Sequence, residues 1–137
     1  MGIMIRDYRE EDLDEVNVVL EEVFGIKKKN FDLPEFREIV ATIDGKVCGY
    51  LLMTKVFNPV LDKYYFLIDY VSVLSHCRGM GVGTRLLNYA ENVALEEEAT
   101  YLQLTCGYQR TAAHGLYIKN GFVKRESDIF RKELLWY

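Results

Sequence analysis

The sequence predicts a mixed α/β fold: a mostly antiparallel sheet flanked by helices, in the order β-α-β-β-β-α-β-α-β-β. Three observations carry this. Helical apolar spacing alternates with β-rich runs along the chain. Asp44-Gly45 between two such runs is a strong hairpin signal, which makes neighbouring strands antiparallel. A glycine-rich turn, Arg78-Gly79-Met80-Gly81-Val82-Gly83, then leads from a β-rich run into a helical one. With 137 residues, two prolines and no linker-like tract, residues 1–137 are expected to form one domain.

The elements follow in order. Residues 3–9 alternate Ile3 and Ile5 with Met4 and Arg6, the period of a strand. Residues 12–24 place Leu13, Val16, Val19, Leu20 and Val23 on one helical face, and Gly25 with Lys27, Lys28 and Lys29 marks the end. Residues 37–43 and 46–57 are the hairpin strands; Asn58 and Pro59 stop the second, and residues 64–74 form a third long β run. A helix follows the glycines to about residue 98, with Val82, Leu86, Ala90, Val93 and Ala94 inward. Residues 101–106 read as a strand with Leu102, Leu104 and Cys106 on one face, and residues 111–120 as a short helix closed by Gly121. Residues 122–123 and 129–136 are expected to complete the sheet.

Composition excludes several classes. Half the residues are hydrophobic and 28% are charged, an ordinary globular balance. A net charge of −4 argues against nucleic acid as the main partner, because phosphate binding rests on a basic surface. No apolar run approaches membrane-spanning length, and the N-terminus turns acidic before a signal-peptide core develops. Cys48, Cys77 and Cys106 form neither a metal pair nor a disulfide framework, which suits a reducing cytoplasm, and no metal site is expected.

The glycine turn carries the chemistry. A strand feeding a glycine-rich helix start converges free N–H groups and the helix dipole on one point, which suits an anion. Arg78 and Arg85 can add charge-assisted contacts. No lysine follows the glycines, so this is not a Walker loop; Gly79, Gly81 and Gly83 have the wrong spacing for a dinucleotide fingerprint. On these residues alone, an anion site and a plain structural corner both stay open.

The turn resembles the R/Q-x-x-G-x-G/A signature of the GNAT acyltransferase superfamily. Val71-Ser72-Val73 stands where that family has an apolar strand before the turn. Downstream, residues 110–122 resemble its R-x-x-A-H-x-x-Y-x-x-x-G-F segment. The resemblance implies an acetyl-CoA-dependent N-acetyltransferase acting directly on a primary amine, from a small molecule or a peptide. The diphosphate of acetyl-CoA would rest on Arg78, Gly79, Met80, Gly81, Val82, Gly83 and Thr84. Val71, Ser72 and Val73 would pair with its pantetheine amides, and Arg110 is a further candidate contact. Tyr117 matches the family tyrosine that protonates the departing thiolate. Asp69, the only charged side chain between Lys63 and His76, stands where some members carry a base, though a water chain and a purely structural carboxylate remain open. His114 is expected to be structural. The acceptor would lie against residues 10–29 and 30–35, where Glu10, Glu11, Asp12, Asp14, Glu15, Glu21 and Glu22 attract a cation or merely solvate a helix face. Apolar residues 134–137 raise the possibility of a homodimer. A non-catalytic acyl-CoA sensor of the same fold is the alternative, as is a scaffolding domain whose turn is only a corner.

Overall fold

The computed structural model describes residues 2–135. Strand β1 (Ile3–Asp7) and a 3-10 turn (Glu10–Asp12) precede helix α1 (Leu13–Phe24). Strands β2 (Phe36–Ile43), β3 (Lys46–Asn58) and β4 (Lys63–Val73) follow, then α2 (Val82–Glu96), β5 (Leu102–Leu104) and α3 (Thr111–Lys119). The five strands form one sheet in the order β1-β2-β3-β4-β5. All pairs are antiparallel except β4 with β5, which is parallel.

The period-2 strands divide the apolar side chains between two faces. On one face Ile39, Ala41, Leu51, Met53, Phe66 and Ile68 meet Val82, Leu86, Leu87, Ala90, Val93 and Ala94 of α2. On the other, Val40, Val47 and Tyr50 receive Val16, Val19 and Leu20 of α1. Every inward residue expected on α2 is buried, while Leu13 and Val23 at the two ends of α1 are only half-buried. The β2–β3 turn has Asp44 at φ 51° and Gly45 at φ 84°, the left-handed pair that matches the twist of a two-residue hairpin.

Two expectations fail. Residues 122–135 contain no strand, and residue 136 lies outside the described residues. Their β-forming composition does not suffice, because a strand exists only against a neighbour, and none stands beside them among the described residues. The fifth strand covers three residues of the six expected. That shortening shapes the site.

Candidate functional site

Strand β4 outruns β5. Their pairing covers Phe66 with Leu102, Leu67 with Gln103 and Ile68 with Leu104, and then β5 stops. Asp69 to Val73 continue with partners on the β3 side only. The sheet therefore opens between its fourth and fifth strands, with main-chain groups of β4 uncovered along one edge.

The same stretch is bulged. Tyr50 pairs with Ser72 and Leu52 with Asp69, so β4 carries one residue more than β3 across this interval. Tyr70 takes the extra turn at φ 57°, a left-handed conformation that costs a non-glycine residue roughly 1–2 kcal/mol. The buried Ser72 hydroxyl donates to Tyr70 O at 3.0 Å and to Tyr50 O at 3.3 Å, holding the bulge in shape.

Strand β4 then delivers the chain to the glycine turn. Gly79 has φ 79° and Gly81, the N-cap of α2, has φ 83°. A Cβ added at either would meet nothing within 4 Å, so the space above the turn is open. The first backbone bond into α2 runs from Arg85 N to Gly81 O at 3.1 Å. The N–H groups of Gly81, Val82, Gly83 and Thr84 have no backbone acceptor among the described residues. Four free donors at a helix N-terminus are what an anionic oxygen requires. Gly83 serves packing: a Cβ there would stand 2.9 Å from Leu116 Cδ2, so its absence lets α3 lie on the start of α2. Asn120 Nδ2 donates to Thr84 Oγ1 at 3.2 Å across the same contact. Glu22 of α1 accepts from the Ser75 hydroxyl at 2.7 Å and from Ser75 N at 3.1 Å, anchoring the approach to the turn. Arg78 does not reach over the turn; its Nε donates to Val73 O at 3.3 Å.

The two candidate proton-transfer residues stand on different walls. Asp69 shares a cross-strand row with Leu52 and Glu38, which places it on the α1 face of the sheet. Its residue surface is exposed, yet partial desolvation raises its carboxyl above the ordinary aspartate value. Tyr117 is 8% exposed and edge-on to Phe122, with ring centroids 5.9 Å apart. Burial raises its phenol above the ordinary value, Cys106 adds to this, and the positive charge of Arg110 opposes it. No hydrogen bond joins Asp69 to Tyr117 among the described residues. Arg110 is the N-cap of α3, and its guanidinium lies 5.1 Å from the centroid of Phe24, which meets Tyr70 edge-on at 5.4 Å. Tyr70, Phe24 and Arg110 thus tie the bulge, the end of α1 and the start of α3 together beside the opening. His114 Nε2 lies 2.8 Å from Gly107 O, bracing the loop that leads into α3.

Several acids of the first helical region prove structural. Asp12 is 4% exposed; its carboxylate accepts from Arg6 Nη1 at 2.7 Å and Nη2 at 2.8 Å, and from Arg9 N at 2.8 Å. The Arg6 bonds hold its carboxyl below the usual range despite burial. Glu15 accepts from Val47 N at 3.2 Å. Glu10 is placed differently: with Tyr8, Asn30, Phe31, Asp32, Phe36 and Glu38 it lines an open cleft of about 400 Å³. Glu38 in that cleft lies two strand spacings from Asp69, about 10 Å. Lys28 Nζ lies 3.1 Å from the Glu38 carboxylate and 4.3 Å from the centroid of the Tyr8 ring.

Phe24, Tyr70 and Asn120 are contributors that sequence reasoning missed, and Glu22, expected only among the acids of the first helix, instead anchors Ser75. Asn120 carried a signal, next to Gly121 at a helix end; the others depend on contacts distant in sequence.

Comparison with known proteins bears on family and fold. A model of the Acetyltransferase (GNAT) family matches residues 3–122. An uncharacterised N-acetyltransferase of Methanocaldococcus jannaschii is 29% identical over 134 residues, 90% of this chain and 80% of that protein. An uncharacterised N-acetyltransferase of Bacillus subtilis is 29% identical over 84 residues, 61% of this chain; the match spans 56% of that relative's length. The crystal structure of a ribosomal-protein-alanine N-acetyltransferase from Brucella melitensis superposes with a TM-score of 0.83 at 18% identity, covering 97% of this chain and 100% of that one.

Proposed function

Since the chain belongs to the GNAT family and is an acetyltransferase, we propose that it carries an acetyl group from acetyl-CoA directly to a primary amine. The observation that supports this best is the continuity of two uncovered backbone surfaces. The edge of β4 from Asp69 to Val73, which no strand covers among the described residues and where only the Ser72 and Arg78 side chains reach carbonyls (Tyr70 O and Val73 O), leads toward the four free N–H groups of residues 81–84. An extended chain of amides ending in a diphosphate is complementary to that combination.

In this reading the diphosphate takes the N–H groups of the glycine turn and the pantetheine arm lies along Val71, Ser72 and Val73. With Arg78 bonded to Val73 O, the backbone, more than that side chain, supplies the anion contacts. The amine nitrogen attacks the thioester carbonyl; a C–N bond forms and the C–S bond breaks. The ammonium proton leaves through Asp69, whose raised carboxyl is a better acceptor than an ordinary aspartate, directly or by way of water. The thiolate takes the proton of the Tyr117 hydroxyl, which burial keeps protonated and able to donate at neutral pH. In the cleft, Asp7 is paired with Arg37 and Glu38 with Lys28, which leaves Glu10 and Asp32 as the carboxylates that draw in the amine as a cation. Three free cysteines, two of them buried, suit a cytoplasmic setting.

Incubation with acetyl-CoA and a panel of small and peptidyl primary amines tests this, with free thiol and acetylated product measured together. Equal amounts of CoA and N-acetyl product are expected. Transfer from a different acyl donor, or an O-acetyl product alone, would overturn it.

A further inference from the structure

The cleft beside β1 and β2 and the candidate base on β4 stand too far apart for one ammonium to use both. Glu10 and Asp32 line that cleft, and no basic side chain pairs with either among the described residues. Glu38, on the cleft wall, is two strand spacings from Asp69, roughly 10 Å. Between exposed charges that is about one screening length in physiological salt, so Glu10 and Asp32 would hold a lone amine away from Asp69. The surface between is apolar. Leu52 stands between Glu38 and Asp69 in one cross-strand row, half-buried and packed on the cluster under α1. Phe31 and Phe36 give the cleft exposed aromatic wall. The chain already seats one alkylammonium against this lining: Lys28 Nζ lies 4.3 Å from the Tyr8 ring centroid and 3.1 Å from the Glu38 carboxylate.

We propose that the acceptor is a linear aliphatic diamine, an inference that rests on the amine acetylation proposed above. Its near nitrogen meets the thioester beside Asp69, its alkyl spacer crosses Leu52, and its far ammonium takes Glu10 and Asp32 with Phe31 and Phe36 around it. An extended chain advances roughly 1.2 Å per bond, so a span of about 10 Å needs about eight bonds, or about seven carbons between the nitrogens. Only the near nitrogen gives up a proton as its C–N bond forms and the C–S bond of the thioester breaks. The far nitrogen stays an ammonium and keeps its partners throughout. A peptide fits less well, because its amides would lie on Leu52 without hydrogen-bond partners.

Thiol release from acetyl-CoA tests the inference, measured with diaminoalkanes of about three to ten carbons and with monoalkylamines of equal length. Near seven carbons, kcat/KM for the diamine should exceed that for the monoamine at least about tenfold, chiefly through KM, and should exceed that for the shortest diamine as well. Glu10→Gln combined with Asp32→Asn should bring the diamine-to-monoamine ratio close to one. Both side chains are exposed, so the fold should tolerate the change. Equal kcat/KM for diamine and monoamine at every length overturns the inference and leaves amine acetylation standing. So does a preference that survives both substitutions, or a lysine-containing peptide used better than every diamine. Should no amine release the thiol, amine acetylation itself falls, and this inference with it.

Discussion

Gly81 and Gly45 form a matched pair on which the turn assignment can be tested. Gly81 has φ 83° and Gly45 has φ 84°, and a Cβ at either meets nothing within 4 Å. Replacing either with alanine therefore adds the same conformational penalty and no clash. Holding an L-residue in the left-handed region costs roughly 1–2 kcal/mol, offset in part by the about 0.4–1 kcal/mol gained from a stiffer unfolded chain. The net is a loss of about 1 kcal/mol, or roughly 3–5 °C in Tm for a chain of this length. Both variants should show it in thermal denaturation without ligand. They should then part company in calorimetry with acetyl-CoA. At Gly81, whose own N–H is one of the four free donors, the methyl group adds bulk and strain beside the proposed diphosphate, and affinity should fall at least about tenfold, or 1.4 kcal/mol. At the β2–β3 hairpin the affinity should stay that of the wild type. Equal affinity in the two variants would falsify the assignment of the diphosphate to this turn, whatever their stability.

Other residues yield shorter tests. Tyr117→Phe should lower kcat by about a hundredfold while leaving the acetyl-CoA Kd nearly unchanged, as removal of a general acid does; an undiminished kcat would take the role from Tyr117. Asp69 must be deprotonated to accept a proton, so kcat/KM should fall as pH drops through its raised carboxyl value. Asp69→Asn should abolish that acidic limb, and a limb that persists unshifted would assign the proton to water or another group. Asp12→Asn should cost about 3 kcal/mol in urea denaturation, because Arg6 loses its bidentate partner. The Asp12 carboxyl is lowered in the folded state, so its contribution is fully present above the unfolded value, near 3.8, and fades as pH falls through the lower folded value. Acid unfolding of the Asp12→Asn variant should lack that component, and an acid profile identical to that of the wild type would remove Asp12 from the account.

The parts of the fold that the sequence reveals are those decided by neighbours in the chain. Asp44-Gly45 announces its hairpin because two left-handed residues are needed there and few pairs supply them. The apolar stripe of α2 survives into the structure because one helix face is enough to define it. The glycine turn is equally local. The opening in the sheet is not, since it depends on how far β5 extends beside β4, and residues 101–106 carry strand-forming side chains past the point where pairing ends at Leu104. The same reason misplaces a strand over the described part of 129–136, residues 129–135, where composition favours extension and no neighbour is present among the described residues. Asp12 is hidden more completely. Among seven acids it looks like part of a solvated face, and only the fold brings Arg6 against it. The Tyr70–Phe24–Arg110 contacts join three elements that no spacing rule connects.

The short fifth strand has a consequence for how long the protein lasts. A sheet open between its fourth and fifth strands is unfinished, and in the proposed function an extended ligand lying along β4 would be a removable part of the architecture. A ligand held only by the folded chain, present at a hundred times its Kd, adds about 2.7 kcal/mol to folding. That is a large fraction of what keeps an ordinary domain folded. Survival of the chain against unfolding and proteolysis would then rise and fall with the supply of the molecule it consumes, so starvation for substrate would thin out the enzyme as well as idle it.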